Sequence, residues 1–153
     1  MNMEPFEVRD RIYNDYLYSY GGISPFFRTL KDDAKLTGTR CATCGKVWCP
    51  PRIDCSDCYS KTAWVDLPGT GTVRGAIEVF YVPSNYSLHQ HVDMPYVLAL
   101  IQLDGADTCI YNTVFVGPVR IGAVKPGLRV RAVFREKREG RLTDFYFVPL
   151  KGK

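Results

Sequence analysis

The sequence has little histidine and no long hydrophobic run, and both absences restrict what the protein can be. No segment approaches the eighteen or so consecutive apolar residues of a membrane span. The first twelve residues carry five charged side chains, where a secretory signal would place an apolar stretch. We therefore expect a soluble, cytoplasmic protein without a membrane partner.

Signatures of catalysis are also absent. The sequence contains no Ser-His-Asp arrangement, no phosphate-binding loop and no dinucleotide fingerprint. Its two histidines, His89 and His91, could ligate a metal or supply a general base, but their loop offers no clear third ligand. Cys109 lies among apolar residues, where a cysteine is more often a small buried hydrophobe than a nucleophile. We expect no catalytic residue in this chain acting alone.

Cysteine is the residue type that the sequence does concentrate. The pairs Cys41-Ala-Thr-Cys44 and Cys55-Ser-Asp-Cys58 are two Cys-x-x-Cys turns at a separation that lets four thiolates converge on one ion. Three disulfides are the alternative for six cysteines, but a cytoplasmic compartment disfavours them. Four sulfur ligands leave no open coordination position, so the metal is structural. Base rates favour zinc, although rubredoxin-type sites of this kind hold iron. Cys49 belongs to neither turn and is expected to be unligated.

Charge is distributed unevenly along the chain. The net charge is +4, yet residues 120–153 contain ten basic and three acidic side chains. Such a basic stretch suits an anionic partner, such as nucleic acid, a phosphorylated cofactor or an acidic protein surface. For most of these residues individually, a solvated strand face explains the charge at least as well.

The order of sequence patterns predicts a mainly β protein in three parts. Residues 1–35 form an N-terminal helical segment, with a first helix that Gly21-Gly22 stops and a second that Ser24 caps and Pro25 begins. Residues 36–67 form the metal module with three short strands. Residues 68–153 form a five-stranded barrel of the OB-fold type, with strands at 73–82, 96–103, 108–116, 127–134 and 142–150.

These motifs together resemble a known family. They are Pro25-Phe26-Phe27, Cys41-x-x-Cys44-Gly45, Pro50-Pro51-Arg52, Cys55-x-x-Cys58, Gly69-x-Gly71-x-Val73 and Pro95-Tyr96. Their order is similar to that in the acyl-CoA-associated OB-fold proteins with a rubredoxin-like zinc ribbon. One departure is Tyr59, where a glycine is usual because the turn after the ligand often needs a positive φ.

The resemblance implies a function. Such proteins are noncatalytic subunits that associate with thiolases or related acyl-CoA condensing enzymes and help to shape the acyl-CoA site. It implies a hetero-oligomer, a structural zinc and a CoA thioester bound at a shared site. Among the substrates of such enzymes, the aromatic-rich N-terminus permits an aromatic or branched 3-oxoacyl-CoA such as benzoylsuccinyl-CoA. The alternatives are a single-stranded nucleic-acid-binding protein, which we consider unlikely, and a stand-alone acyl-CoA carrier.

Three groups of residues are candidate contacts for the ligand or the partner enzyme. The aromatic N-terminal residues could line an acyl pocket, the loop before Pro95 could contact the enzyme, and arginines could bind CoA phosphates because their planar fork donates two parallel hydrogen bonds. In that order the candidates are Tyr16, Tyr20, Phe26 and Phe27; Tyr86, His89 and His91; and Arg129, Arg131 and Arg135.

Overall fold

The protein is mainly β, as predicted. The computed structural model describes residues 16–82 and 92–150, in which one helix, α1 (Ser24–Asp33), precedes eight strands. The strands are β1 (Leu36–Cys41), β2 (Val47–Trp48), β3 (Thr62–Leu67), β4 (Thr70–Val79), β5 (Tyr96–Leu103), β6 (Cys109–Val114), β7 (Arg129–Phe134) and β8 (Phe145–Pro149). Within the described ranges, no helix is long and apolar enough to cross a bilayer.

The segment before α1 corrects the prediction of a first helix. Positions 1–15 of that predicted helix lie outside the described residues, and residues 16–20 are irregular rather than helical. Tyr20 stacks on Phe27 of α1, with ring centroids 3.5 Å apart and ring planes 16° from parallel. This tertiary contact turns the chain back onto α1, and it overrides the spacing of tyrosines that suggested a helix.

Helix α1 begins one residue earlier than predicted, at Ser24 instead of Pro25. Ile23 occupies the N-cap position and makes no side-chain cap bond, while the Ser24 hydroxyl donates to the carbonyl of Gly21 at 2.7 Å. Pro25 lies in the first turn, where its missing N–H costs nothing. Phe26 and Leu30 are four residues apart, so both face inward and are buried.

The metal module contains a small antiparallel sheet in the order β2-β1-β3. Strand β1 pairs along its whole length with β3, from Leu36 opposite Leu67 to Cys41 opposite Thr62. Gly38 lies where a Cβ atom would approach the Trp48 carbonyl oxygen to 2.8 Å. A larger residue at this position would force β1 and β2 apart.

The five remaining strands form a closed barrel in the order β4-β5-β6-β8-β7. Strand β4 pairs with both β5 and β7, which closes the barrel, and β6 runs parallel to β8. This is the predicted OB-fold type of barrel. The fifth predicted strand starts late, because Leu142–Asp144 is a 3-10 turn held by the Asn112 side-chain amide, which donates to the Leu142 carbonyl at 2.9 Å.

One hydrophobic core connects the helix, the small sheet and the barrel. It includes Phe26 of α1, Leu36 of β1 and the barrel residues Val73, Ile101 and Phe147. Polar contacts also join the small sheet to the barrel, since Asp107 accepts a 2.8 Å hydrogen bond from the Val47 amide. The metal module is therefore packed on the barrel through both apolar and polar contacts.

Candidate functional site

The four predicted cysteine ligands converge at one end of the small sheet. Their Sγ atoms, from Cys41, Cys44, Cys55 and Cys58, all lie within 4.8 Å of one another. The Cys41 and Cys58 sulfurs are 3.4 Å apart, and those of Cys44 and Cys55 are 3.7 Å apart. Sulfur atoms about 2.3 Å from a tetrahedral zinc would be about 3.8 Å apart, so the donor set fits zinc.

The two Cys-x-x-Cys turns have the same backbone geometry. In the first, the Gly45 amide donates to the Cys41 carbonyl at 3.2 Å; in the second, the Tyr59 amide donates to the Cys55 carbonyl at 2.9 Å. Gly45 has φ +75° and Tyr59 has φ +58°. Tyr59 thus adopts the positive φ for which glycine is usual, and the tyrosine leaves the turn unchanged.

Backbone amides favour the thiolate form of Cys41, the first of the four predicted metal ligands. The amides of Cys44 and Thr43 lie 3.4 Å from the Cys41 sulfur and donate to it. The hydrogen bond from the Cys44 amide is the largest influence on this thiol, and with the Thr43 amide it lowers the pKa of Cys41 to about 6. Because a metal ligand must be a thiolate, this environment favours binding.

Cys49 is placed as a nonligand. It is fully buried in the hydrophobic core, away from the four-cysteine cluster, and its sulfur lies 3.9 Å from the Thr37 carbonyl oxygen. Burial raises the pKa of the Cys49 thiol to about 12, so the group stays protonated. Cys109, by contrast, is half-buried rather than fully buried as predicted.

The aromatic candidates at the N-terminal end differ in their exposure. Phe26 is 1% exposed and belongs to the hydrophobic core. Tyr16 is 74% exposed, whereas Tyr20 packs on the half-buried ring of Phe27. Burial, followed by a hydrogen bond with Tyr18, raises the pKa of Tyr20 to about 12.

The three candidate arginines have different environments. Arg129 forms an ion pair with Asp104, in which Nη1 donates to a carboxylate oxygen at 2.7 Å. Arg129 also donates a hydrogen bond to Thr72. These hydrogen bonds join β7 to β4 and to the turn after β5. Arg131 is an exposed residue of β7. Arg135 donates through Nε to the Thr143 carbonyl at 2.9 Å, and its guanidinium lies 5.6 Å from the centroid of the Tyr146 ring.

Arg135 and Tyr146 line a cavity of about 300 Å³ at one end of the barrel. Apolar residues make most of its wall, including Pro95, Val114 and Phe115, while Arg135 and Asp93 supply charge. A mainly apolar cavity with a few polar groups is the usual form of a small-molecule site. The predicted contacts Tyr86, His89 and His91 lie outside the described residues.

The sequence did not identify most of this cavity. Strand alternation puts Tyr146 on the face opposite Phe145 and Phe147, and that signal was available. The proximity of Phe115 to Tyr146, with ring centroids 6.3 Å apart, depends on the parallel pairing of β6 with β8. No local pattern specifies such a long-range pairing.

Single-stranded nucleic-acid binding needs arginines and stacking aromatics on one exposed face, and the aromatic candidates for it are Phe134, Phe145 and Tyr146. Phe134 packs against the core and Phe145 is 1% exposed, so neither ring is presented to a base. Tyr146 lies beside Arg135, whose guanidinium is 5.6 Å from the centroid of its ring.

The fold and the metal centre define a class, a rubredoxin-like zinc ribbon joined to an OB-fold barrel. Family models agree: residues 28–64 match the rubredoxin-like zinc ribbon domain of ChsH2, and residues 64–135 match the C-terminal OB-fold domain of ChsH2. Zinc is therefore the structural metal of the four-cysteine site.

Similarity to whole proteins identifies the family. The chain is 31% identical, over 74% of its length, to DUF35 domain-containing scaffold proteins of Methanocaldococcus jannaschii and Methanothermobacter thermautotrophicus. The matched regions cover 77% and 81% of those two proteins, respectively. The chain belongs to this DUF35 scaffold-protein family. A probable enoyl-CoA hydratase alpha subunit of Thermomonospora curvata is 33% identical over 57% of the chain, which spans 26% of that relative.

Solved structures extend the similarity over most of the chain. A chain of the Ltp2-ChsH2(DUF35) aldolase superposes with a TM-score of 0.59 and 25% identity, over 92% of this chain and 97% of that one. A DUF35-family protein of Sulfolobus solfataricus shares the fold, with a TM-score of 0.57 and 22% identity over 76% of this chain and 81% of its own.

Proposed function

We propose that this chain is a noncatalytic accessory subunit, which binds a thiolase or related acyl-CoA condensing enzyme and helps to form its acyl-CoA site. The observation that carries the proposal is the similarity, over 92% of the chain, to a chain of the Ltp2-ChsH2(DUF35) aldolase. The scaffold proteins among its relatives, and the relative named for an enoyl-CoA substrate, support the same role.

Each part of the chain has a role in this proposal. Residues 1–35 include α1, residues 36–67 form the zinc ribbon, and residues 68–153 form the OB-fold, which contacts the enzyme. The zinc holds the ribbon in shape and takes no part in a chemical step, because its four protein ligands leave no open coordination position.

The cavity beside Arg135 is our candidate for the part of the acyl-CoA site that this chain supplies. The Arg135 guanidinium is fixed by the Thr143 carbonyl and the Tyr146 ring. A guanidinium held in this way suits a phosphate or carboxylate group of a CoA thioester. The rings of Phe115 and Tyr146 offer a surface to an aromatic acyl group, as in a 3-oxoacyl-CoA such as benzoylsuccinyl-CoA.

Purification of the native chain under mild conditions tests the partnership. We expect an acyl-CoA condensing enzyme to co-purify in fixed stoichiometry. Recovery of the chain with no such enzyme, under conditions that keep its zinc, would count against the proposal. If the purified complex contains nucleic acid that salt releases, the nucleic-acid alternative gains support instead.

Calorimetry with benzoylsuccinyl-CoA and acetoacetyl-CoA tests whether the site is shared. We expect no saturable binding to the isolated chain below about millimolar concentration, because half of the site belongs to the enzyme. Micromolar binding to the chain alone would identify a stand-alone acyl-CoA carrier.

Substitution tests the role of the cavity in the purified complex. We expect Arg135→Ala to raise KM for the CoA thioester at least fivefold with a smaller change in kcat, because the guanidinium contributes to binding. Arg28→Ala, at an exposed position of α1, is the control and should leave both constants unchanged. An unchanged KM in the folded Arg135→Ala complex would remove the cavity from the proposal.

A further inference from the structure

One sheet face of the barrel is apolar and exposed. Cross-strand pairing places Ile77 of β4 beside Leu98 of β5, and Leu100 of β5 beside Tyr111 of β6. Paired residues point to the same side of a sheet, and the neighbours of this row, Ala99 and Ile101, point into the core. We call this surface the three-strand face; it consists of Ile77, Leu98, Leu100 and Tyr111, with Phe80 and Phe115 at the strand ends.

The three-strand face exposes large side chains. Ile77 is 59% exposed, Tyr111 63%, Phe80 57% and Phe115 65%, while Leu98 and Leu100 are half-buried. Since an aromatic side chain has about 200 Å² to bury, the four exposed residues present on the order of 500 Å² of apolar surface. A patch of that size lies within the range of about 300–600 Å² that the largest patch of a monomer reaches, and such a patch is often functional.

Charge lies at one end of the three-strand face, where Arg74 of β4 donates from Nε to the Gln102 side chain at 2.9 Å. The outward positions farther along the three strands are occupied by Gly75, Ile77, Val79, Leu98, Leu100, Tyr111 and Thr113, none of which is an Asp, Glu, Lys or Arg. Arg129 of β7 lies at the same end, since it donates to Thr72 of β4, the cross-strand partner of Gln102. A partner over the part of the face between Ile77 and Tyr111 presents an uncharged surface there, because burying an unpaired charge is costly.

The area of the face and its position indicate which partner fits. Two surfaces of about 500 Å² bury about 1,000 Å² in total, which is at the lower limit for a biological interface and falls short of an obligate homodimer. Phe115 belongs both to the face and to the wall of the cavity beside Arg135. A chain seated on the face would therefore border that cavity.

We infer that the three-strand face is the docking surface for the acyl-CoA enzyme, through an uncharged apolar patch on that enzyme. The inference rests on the proposed function and adds the location of the contact. Because the barrel is closed, the partner packs on side chains and does not add a strand to the sheet. Docking here places the enzyme beside the cavity, so the two chains can enclose one thioester.

Two lysine substitutions and a matched control test this location. Tyr111→Lys and Ile77→Lys introduce a charge into the centre of the face at positions exposed enough to preserve the fold. Tyr59→Lys makes the same change at a tyrosine that is 85% exposed on the zinc ribbon. Each zinc-loaded variant is titrated with the condensing enzyme that co-purifies with the wild-type chain, after its zinc content and melting curve have been matched to wild type.

We expect Tyr111→Lys and Ile77→Lys each to weaken the Kd for the enzyme at least tenfold, and Tyr59→Lys to stay within twofold. If both face variants bind like wild type, the location is wrong although the proposed function stands. If the wild-type chain binds no acyl-CoA enzyme, both proposals fail. Sedimentation of the isolated chain should show a monomer; a dimer that Tyr111→Lys dissociates would make the face a contact between copies and overturn the inference.

Discussion

Tyr59 has a strained backbone conformation, and its exposed side chain does not offset that strain. Its φ is +58°, a conformation that costs an ordinary L-residue about 1 kcal/mol or more, and its ring is 85% exposed. The turn nevertheless repeats that of Gly45, including the hydrogen bond to the first cysteine of each pair. The metal and the hydrogen bonds around it therefore determine the backbone here.

Replacing Tyr59 by glycine should stabilise the zinc-loaded protein. We expect Tyr59→Gly to exceed Tyr59→Ala in free energy of unfolding by about 0.5–1 kcal/mol, because glycine removes the strain and alanine retains it. Denaturant titration in the presence of zinc provides the measurement. Equal stabilities, or a less stable glycine variant, would show that the turn is not strained.

The Asp104–Arg129 pair contributes a modest stability with a defined pH dependence. The hydrogen bond from Arg129, followed by one from Thr70, lowers the pKa of Asp104 to about 2. A depressed carboxyl pKa stabilises the folded state above the unfolded value of about 3.9, and the contribution is lost as pH falls through the folded value. Because the two side chains are 39% and 46% exposed, solvent screening reduces this contribution to about 1 kcal/mol or less.

A double-mutant cycle measures this pair. We expect Asp104→Asn and Arg129→Gln to give a coupling energy of about 0.5–1 kcal/mol that is constant between pH 5 and pH 8 and falls with added salt. Unfolding by denaturant, with zinc present throughout, supplies the four free energies. A coupling that disappears between pH 8 and pH 5 would contradict the low pKa of Asp104.

At the scale of elements, the hairpin between β7 and β8 depends on one buried carboxylate. Asp144 is 5% exposed, and one of its oxygens accepts from the amides of Glu139, Gly140 and Arg141 at 2.7–2.9 Å. These three bonds shape the turn that precedes β8. Phe27 of α1 lies close to Gly140, so the turn also supports the helix.

Removal of this carboxylate should loosen the hairpin. We expect Asp144→Ala to lower the free energy of unfolding by about 2–3 kcal/mol, because three amides lose a charged acceptor. Glu136→Ala, at an exposed position in the same hairpin, should change it by less than about 0.5 kcal/mol. Amide hydrogen exchange should accelerate at residues 139–141 in the first variant; unchanged protection there would contradict the assigned role.

Elements that depend on neighbouring residues were predicted more accurately than elements that depend on tertiary contacts. The Cys-x-x-Cys turns, the helix after Pro25 and the alternating strand β7 were predictable, since each depends on neighbouring residues. Residues 16–20 were predicted wrongly as helix because the stacking of Tyr20 on Phe27 is a tertiary contact. The start of β8 was also misplaced, since the Asn112 side chain holds Leu142 from another strand.

At the scale of the whole molecule, the metal ligands were readable from spacing, but the surface sites were not. The cavity beside Arg135 and the three-strand face both require the order of strands around the barrel. The arginines illustrate the difference, since Arg129 and Arg131 look alike in sequence. Only the structure shows that Arg129 forms an ion pair with Asp104.

Removal of zinc should affect the whole protein, because the ribbon shares its core with the barrel. Chelation should abolish protection of the β1 amides, destabilise the barrel and eliminate enzyme binding. Cys41→Ala should lose bound zinc, while Cys49→Ala, at a buried cysteine outside the cluster, should retain one zinc per chain. Metal analysis and hydrogen exchange provide the readouts. A metal-free chain that binds the enzyme normally would contradict this role of zinc.

The proposed function requires that this chain completes an acyl-CoA enzyme. The direct test compares the activity of the co-purifying condensing enzyme, stripped of this chain, with its activity after the zinc-loaded chain is added back. We predict that the stripped enzyme loses at least tenfold in kcat/KM for its CoA thioester and that addition of the chain restores it in a saturable manner. An enzyme that is stable and fully active without the chain would contradict the account.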